Sequence, residues 1–134
     1  MISLEKVRAL VAGLGIVDDE HVYMGVLNTK KDCSIGCYNL GRAGTYQPSI
    51  GRSGTYASRA YSFLVHWNKS PRQTESAAQQ LYESLAAVRD ATVNETRILF
   101  IHPVQDAPID VGKDEYGICE MVIEANVYFE EREQ

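Results

Sequence analysis

Cysteine and histidine are the residues of this chain that most readily do chemistry, and they are few: Cys33, Cys37, Cys119, His21, His66 and His102. Cys33 and Cys37 with His66 or His21 are the residue types that hold zinc. The Cys-x-x-x-Cys falls in a segment that reads as a β-strand, where a spacing of four puts both thiols on one face about 13 Å apart. One ion cannot bridge that gap directly, so no metal site is expected. An odd number of cysteines in a chain long enough to build its own core suits reduced thiols. His102, next to Pro103, reads as a strand-end side chain, and His66, beside Trp67, as a sheet-facing hydrogen-bonding residue.

Catalysis requires a nucleophile or a metal with an oriented partner, and no local pattern supplies one. Gly-x-Ser-x-Gly, His-Glu-x-x-His and a phosphate-binding loop do not occur, and Gly13-Leu14-Gly15 reads as a helix stop. No catalytic residue and no cofactor are expected. Asp106, Asp110, Asp114 and Glu115 gather around Gly112, but the spacing fails as a calcium loop: the third ligand position would be Gly112 and the glutamate comes too early. A solvated turn built on Asp110, Gly112, Asp114 and Gly117 is the expectation. Asn94-Glu95-Thr96 has the form of a glycosylation acceptor, relevant only to a secreted chain.

Gly41-Arg42-Ala43-Gly44-Thr45-Tyr46 is followed by Gly51-Arg52-Ser53-Gly54-Thr55-Tyr56, one hexamer pattern occurring twice, ten residues apart. Four of the ten glycines fall in these units and no apolar period runs through them, so residues 41–57 are expected to form a long flexible hairpin or arm outside the core. Arg42, Arg52 and Arg59 concentrate positive charge there, while Tyr46 and Tyr56 can stack or fill a pocket. These five residues are the expected contacts to a neighbouring subunit or to phosphates. The bland alternative is a mobile surface loop with a neutral duplication.

The elements that would position these residues follow from periodicity. Leu4, Val7, Leu10, Val11 and Leu14 recur at helical spacing after a capping Ser3, with Gly13 and Gly15 as stops. Residues 21–27 and 34–40 read as strands that could pair as a hairpin. Residues 59–68 form a strand with Tyr61, Phe63, Val65 and Trp67 on one face and Ala60, Ser62, Leu64 and His66 on the other. Ser70-Pro71-Arg72-Gln73 is a capping-box start for a helix that turns Ala77, Ala78, Leu81, Leu85 and Val88 toward a sheet and Arg72, Glu75, Gln79, Glu83 and Arg89 outward. Residues 97–102 give another strand, and 118–129 the longest. In the last, Cys119, Met121, Ile123, Ala125, Val127 and Phe129 share a buried face, leaving Glu120, Glu124 and Asn126 on a wetted one. The resulting class is α+β: a mostly antiparallel sheet flanked by two main helices.

The chain has 134 residues, 45% of them hydrophobic, enough for one self-sufficient domain over 1–134. A net charge of −5 excludes a general polyanion binder. Apolar runs such as residues 98–101 fall far short of the ~18 needed to cross a bilayer, and the N-terminus lacks a basic-then-apolar signal pattern. A soluble, unsecreted protein with no membrane partner is expected.

Phe63-Leu64-Val65-His66-Trp67, the capped helix with Leu81-Tyr82-Glu83-Ser84-Leu85, and Pro108-Ile109-Asp110-Val111-Gly112-Lys113-Asp114-Glu115-Tyr116-Gly117 leading into an alternating strand together resemble the minor capsid and tail terminator proteins of long-tailed bacteriophages. The resemblance covers roughly residues 59–132, with the first helix also in place; the paired hexamer has no counterpart in it. It implies an α+β subunit that forms a hexameric ring at the head-proximal end of the tail. That ring would cap the tube protein and meet the head-tail connector proteins, with DNA passing through its lumen without specific binding. It also implies a home in the virion after assembly in the host cytoplasm. The physics is an open-ended stack closed by a subunit that fits the last ring but not another copy of the tube protein. An acidic lumen would keep DNA phosphates from sticking. The competing reading is a small nucleic-acid-binding module that uses the arginines and tyrosines of the arm.

Overall fold

The computed structural model describes residues 3–25, 32–40, 46–48 and 55–131; at 46–48, 55 and 131 the description is of the backbone alone. It has two α-helices, α1 (Leu4–Gly13) and α2 (Pro71–Ala86), and eight strands: β1 (Val22–Met24), β2 (Ser34–Asn39), β3 (Tyr46–Pro48), β4 (Thr55–His66), β5 (Arg89–Val93), β6 (Thr96–Pro103), β7 (Ile109–Lys113) and β8 (Cys119–Glu131). The strands form one sheet in the order β1-β2-β4-β8-β6-β5, with β3 added to β4 and β7 to β8. All pairings but β1 with β2 are antiparallel. The fold class read from periodicity therefore holds.

Both helices start as their sequences dictate. Ser3 Oγ accepts from Lys6 N and Ser70 Oγ from Gln73 N, each cap contributing about 1 kcal/mol. The second cap departs from a simple capping box. Asn68 stands between the partners, its Oδ1 accepting the Ser70 N–H at 2.9 Å and its Nδ2 donating to Gln73 Oε1 at 2.6 Å. Val7, Leu10 and Val11 of α1 and Ala77, Ala78, Leu81 and Leu85 of α2 join Tyr61, Phe63, Val65, Ile123, Ala125, Val127 and Phe129 in a single core on one face of the sheet.

β8 is the axis of the sheet. β4 pairs along the whole of one side, from Thr55↔Glu131 to His66↔Glu120. The other side is shared in tandem by β6, up to Pro103↔Ala125, and β7, from Ile109↔Val122. The chain between them leaves the ladder at residues 104–108 and is held there: Val104 N donates to Glu124 O, and Tyr82 Oη of α2 donates to the Gln105 carbonyl at 2.8 Å.

Several boundaries differ from expectation. The first two strands do not form a hairpin: β1 runs parallel to β2, with Val22 opposite Ile35 and Met24 opposite Cys37. Period-two alternation fixes which face a residue takes, and either strand direction satisfies it. The expected strand over 21–27 shrinks to Val22–Met24 behind a 3-10 turn at Asp19–His21, its far end lying outside the described residues. The third expected strand starts at Thr55, ahead of Arg59, because β8 is long enough to pair with it that far. α2 stops at Ala86, so Arg89 lies in β5 and not on the helix. No glycine or proline marks that stop. β5 turns into β6 through Asn94-Glu95, both at positive φ (47° and 69°), a two-residue hairpin turn of the I′ kind.

β6 hides a second irregularity. Ile98 and Ile101 are both buried although a spacing of three should put them on opposite faces. A register shift between Ile98 and Phe100 absorbs one residue and returns Ile101 to the core.

Candidate functional site

With both helices on one face, the opposite face of the sheet has no covering element among the described residues. The even-numbered residues of β4 and β8 line it, and cross-strand register sorts them into rows: His66 beside Glu120, Leu64 beside Val122, Ser62 beside Glu124, Ala60 beside Asn126, Ser58 beside Tyr128 and Tyr56 beside Glu130.

Glu120, Glu124 and Asn126 are therefore placed together on one face, where they are half-buried and not fully exposed. The physical reason is pairing across the strands. Glu120 Oε2 accepts from His66 Nδ1 at 2.9 Å, and Glu124 Oε1 accepts from Gln105 Nε2 at 2.9 Å. Asn126 lies between Ala60 and His102. Glu130 accepts from Arg97, which also binds Asp90; the hydrogen bonds to Asp90 and then Glu130 shift the guanidinium pKa upward. Between these polar pairs runs an aromatic strip. Phe100 stacks on Tyr128 with ring centroids 4.4 Å apart, and Tyr56 tilts against Tyr128 from the other side at 6.4 Å. Phe100 keeps 38% of its surface exposed.

Gly36 and Tyr38 belong to the same face. A Cβ built on Gly36 would come 2.8 Å from Tyr38 Cε2, so the ring lies over the bare glycine and covers that stretch of β2.

One corner of the face is closed. His66 is fully buried, and its Nδ1 points at two carboxylates, Glu120 Oε2 at 2.9 Å and Asp114 Oδ2 at 3.8 Å. Asp114 belongs to the turn between β7 and β8, where its Oδ1 accepts from Tyr116 N and Ile118 N, both at 2.9 Å. Gly117 completes the turn at φ +82°. Its other oxygen, Oδ2, is buried with no hydrogen-bond partner, as is His66 Nε2.

The expected turn over Asp110, Gly112, Asp114 and Gly117 is thus split. Asp114 and Gly117 form it, whereas Asp110 and Gly112 lie inside β7. There Asp110 Oδ1 accepts the Gly112 N–H at a register shift and Gly112 adopts φ +93°, a bulge that lets an aspartate-glycine pair continue a ladder.

Of the five expected arm contacts, Arg42 and Arg52 lie outside the described residues. Tyr46 is in β3, opposite Ala57. Tyr56 and Arg59 are residues of β4 itself, half-buried, so they belong to the sheet and not to a separate arm. Cys33, Cys37 and Cys119 are free thiols; burial pushes the Cys37 thiol up to about 12, which leaves it protonated and unreactive at neutral pH. His66, read as a hydrogen-bonding residue, takes that role with Glu120, and a second carboxylate, Asp114, stands 3.8 Å from the same nitrogen. Only the register of β4 against β8 and the closure of the 114–118 turn bring the three together.

The arrangement defines a small α+β subunit whose sheet offers a broad mixed polar and aromatic surface for contact, with no nucleophile set beside an oriented base among the described residues. Residues 10–131 match the family described as bacteriophage tail terminator protein, and the chain belongs to that family. It is a structural virion protein. No curated protein sequence matches the chain. Among solved structures it is similar in fold to a chain from the virion of a native gene transfer agent particle, at 12% identity and a TM-score of 0.58, over 95% of this chain and 90% of that one. Among the described residues, no helix is long and apolar enough to cross a membrane.

Proposed function

We propose that this protein works as a ring, a homohexamer at the head-proximal end of the tail that ends polymerisation of the tail tube protein and joins the tube to the head-tail connector proteins. The observation that carries this reading is the family match over residues 10–131 together with the uncovered sheet face. A lone subunit has no use for a strip of stacked aromatics with Phe100 exposed at 38%, whereas subunits packed around a ring bury such surface. The polar rows suit a wet contact in which water completes the pairing. The segment 41–57, with Arg42, Tyr46, Arg52 and Tyr56, together with Arg59 nearby in β4, supplies the residue types that anchor interfaces. The net charge of −5 favours a lumen through which DNA moves without specific binding. The protein then resides in the virion tail after assembly in the host cytoplasm.

Native mass spectrometry and negative-stain electron microscopy of the full chain, alone and mixed with tail tubes, test the reading. Closed rings, or tube ends capped and no longer growing, are the expected result. A chain that stays monomeric at high concentration and leaves tube growth unchanged overturns it. Salt-dependent oligonucleotide binding lost in Arg42→Ala plus Arg52→Ala would instead favour the nucleic-acid-binding reading.

A further inference from the structure

We propose that His66, Asp114 and Glu120 bind one divalent transition-metal ion of the zinc class, which clips the turn between β7 and β8 to the end of β4. The ligand atoms are in place. His66 Nδ1, Asp114 Oδ2 and Glu120 Oε2 lie within 4.8 Å of one another, with edges of 2.9 Å and 3.8 Å from the imidazole to the two carboxylates. Three ligands of a tetrahedral zinc site, each about 2.1 Å from the ion, stand roughly 3.4 Å apart. The observed spacings bracket that value, so small side-chain rotations close the triangle around an ion.

Charge and hydrogen bonding favour the same occupant. With the imidazole neutral, two ionised carboxylates leave the trio at −2, and a protonated imidazole still leaves a net negative charge. Among the described residues no lysine or arginine pairs with either carboxylate. Asp114 Oδ2 is buried without a donor, a state that native proteins rarely tolerate and that a cation relieves. His66 is fully buried, so its ring is already held, while the Asp114 and Glu120 side chains keep 14% and 20% exposure and give an ion access from solvent. The three ligands come from the end of β4, the 114–118 turn and the start of β8, so an ion there ties the sheet end together. A neutral ring ligates through Nδ1 once its single proton sits on Nε2, so the imidazole stays neutral, whereas a doubly protonated ring gives its Nδ1 proton to solvent as the metal–nitrogen bond forms.

The test uses tag-free full-length protein stripped with a chelator and titrated with Zn2+ and Co2+ by calorimetry, visible absorption and thermal unfolding. One-to-one binding is expected, with a raised midpoint and a cobalt spectrum lacking thiolate-to-metal bands. Asp114→Asn keeps an oxygen for the two turn N–H groups while removing the second carboxylate oxygen, and Glu120→Gln removes the other. Each should weaken binding by about tenfold or more. Glu124→Gln, the same charge change on the same face, should bind like the unaltered chain. If Asp114→Asn does not fold, Glu120→Gln against Glu124→Gln decides. No saturable binding, binding through the cysteines, or equal binding by Glu120→Gln and Glu124→Gln overturns the proposal.

Discussion

Phe100 stacks on Tyr128 across the β6–β8 ladder, ring centroids 4.4 Å apart and planes 18° from parallel, on the side of the sheet opposite α1 and α2. The bulge at Leu99 is what puts Phe100 there: without the extra residue its neighbours Ile98 and Ile101 could not both reach the core. The pair therefore depends on an irregularity.

Removing the exposed ring separates folding from assembly. Phe100→Ser should cost the isolated subunit only about 1 kcal/mol, since the side chain is partly exposed and loses mainly its stacking partner. Under the ring reading it should weaken association far more than that. Urea unfolding and sedimentation, run on the same preparation, measure the two effects; a loss of stability with no change in association would remove this strip from the interface.

The hairpin between β5 and β6 carries a correctable strain. Glu95 sits at φ +69°, a left-handed conformation that costs a residue with a Cβ. Glu95→Gly gives the Asn-Gly pair that type I′ turns favour, and should stabilise the protein by up to about 1 kcal/mol. Thermal unfolding reads this as an upward shift in Tm; an unchanged or lowered Tm contradicts the assigned turn.

The phase of β8 can be read through neighbouring residues. Ile123 is 2% exposed and faces the helices, whereas Val122 is half-buried on the uncovered face. Ile123→Asp strands a carboxylate in the core and should remove about 3 kcal/mol or more, enough to threaten folding, while Val122→Asp should cost about 1 kcal/mol. Chemical denaturation of both variants checks this, and equal tolerance would mean the register is wrong.

Alkaline pH should unfold the protein through two buried groups. Desolvation pushes the Cys37 thiol up to about 12 from 9.0, and the Tyr61 phenol up to about 12 from 10.0. Below pH 9 both groups are neutral in folded and unfolded chains alike. Above it the unfolded chain ionises first and binds fewer protons, so stability falls as pH rises from about 9 through 12. Cys37→Ser with Tyr61→Phe should flatten the profile in that window, measured as Tm against pH.

The sequence by itself determined the helix caps at Ser3 and Ser70, the core faces of α1, α2 and β8, and the α+β class. Each follows from local chemistry or from a period that one strand or helix carries alone. It could not determine that β1 and β2 are parallel, since alternation is blind to strand direction. Nor could it show that α2 gives way to β5 after Ala86, where no breaker residue stands. β7 was hidden because an aspartate-glycine pair reads as a turn until Asp110 is seen bonding the Gly112 N–H inside a bulge. The meeting of His66, Asp114 and Glu120 belongs wholly to tertiary structure. Fifty-four residues separate His66 from Glu120, and only the register of β4 on β8, with the 114–118 turn folded back by the Asp114 side chain, turns three ordinary polar residues into one buried cluster.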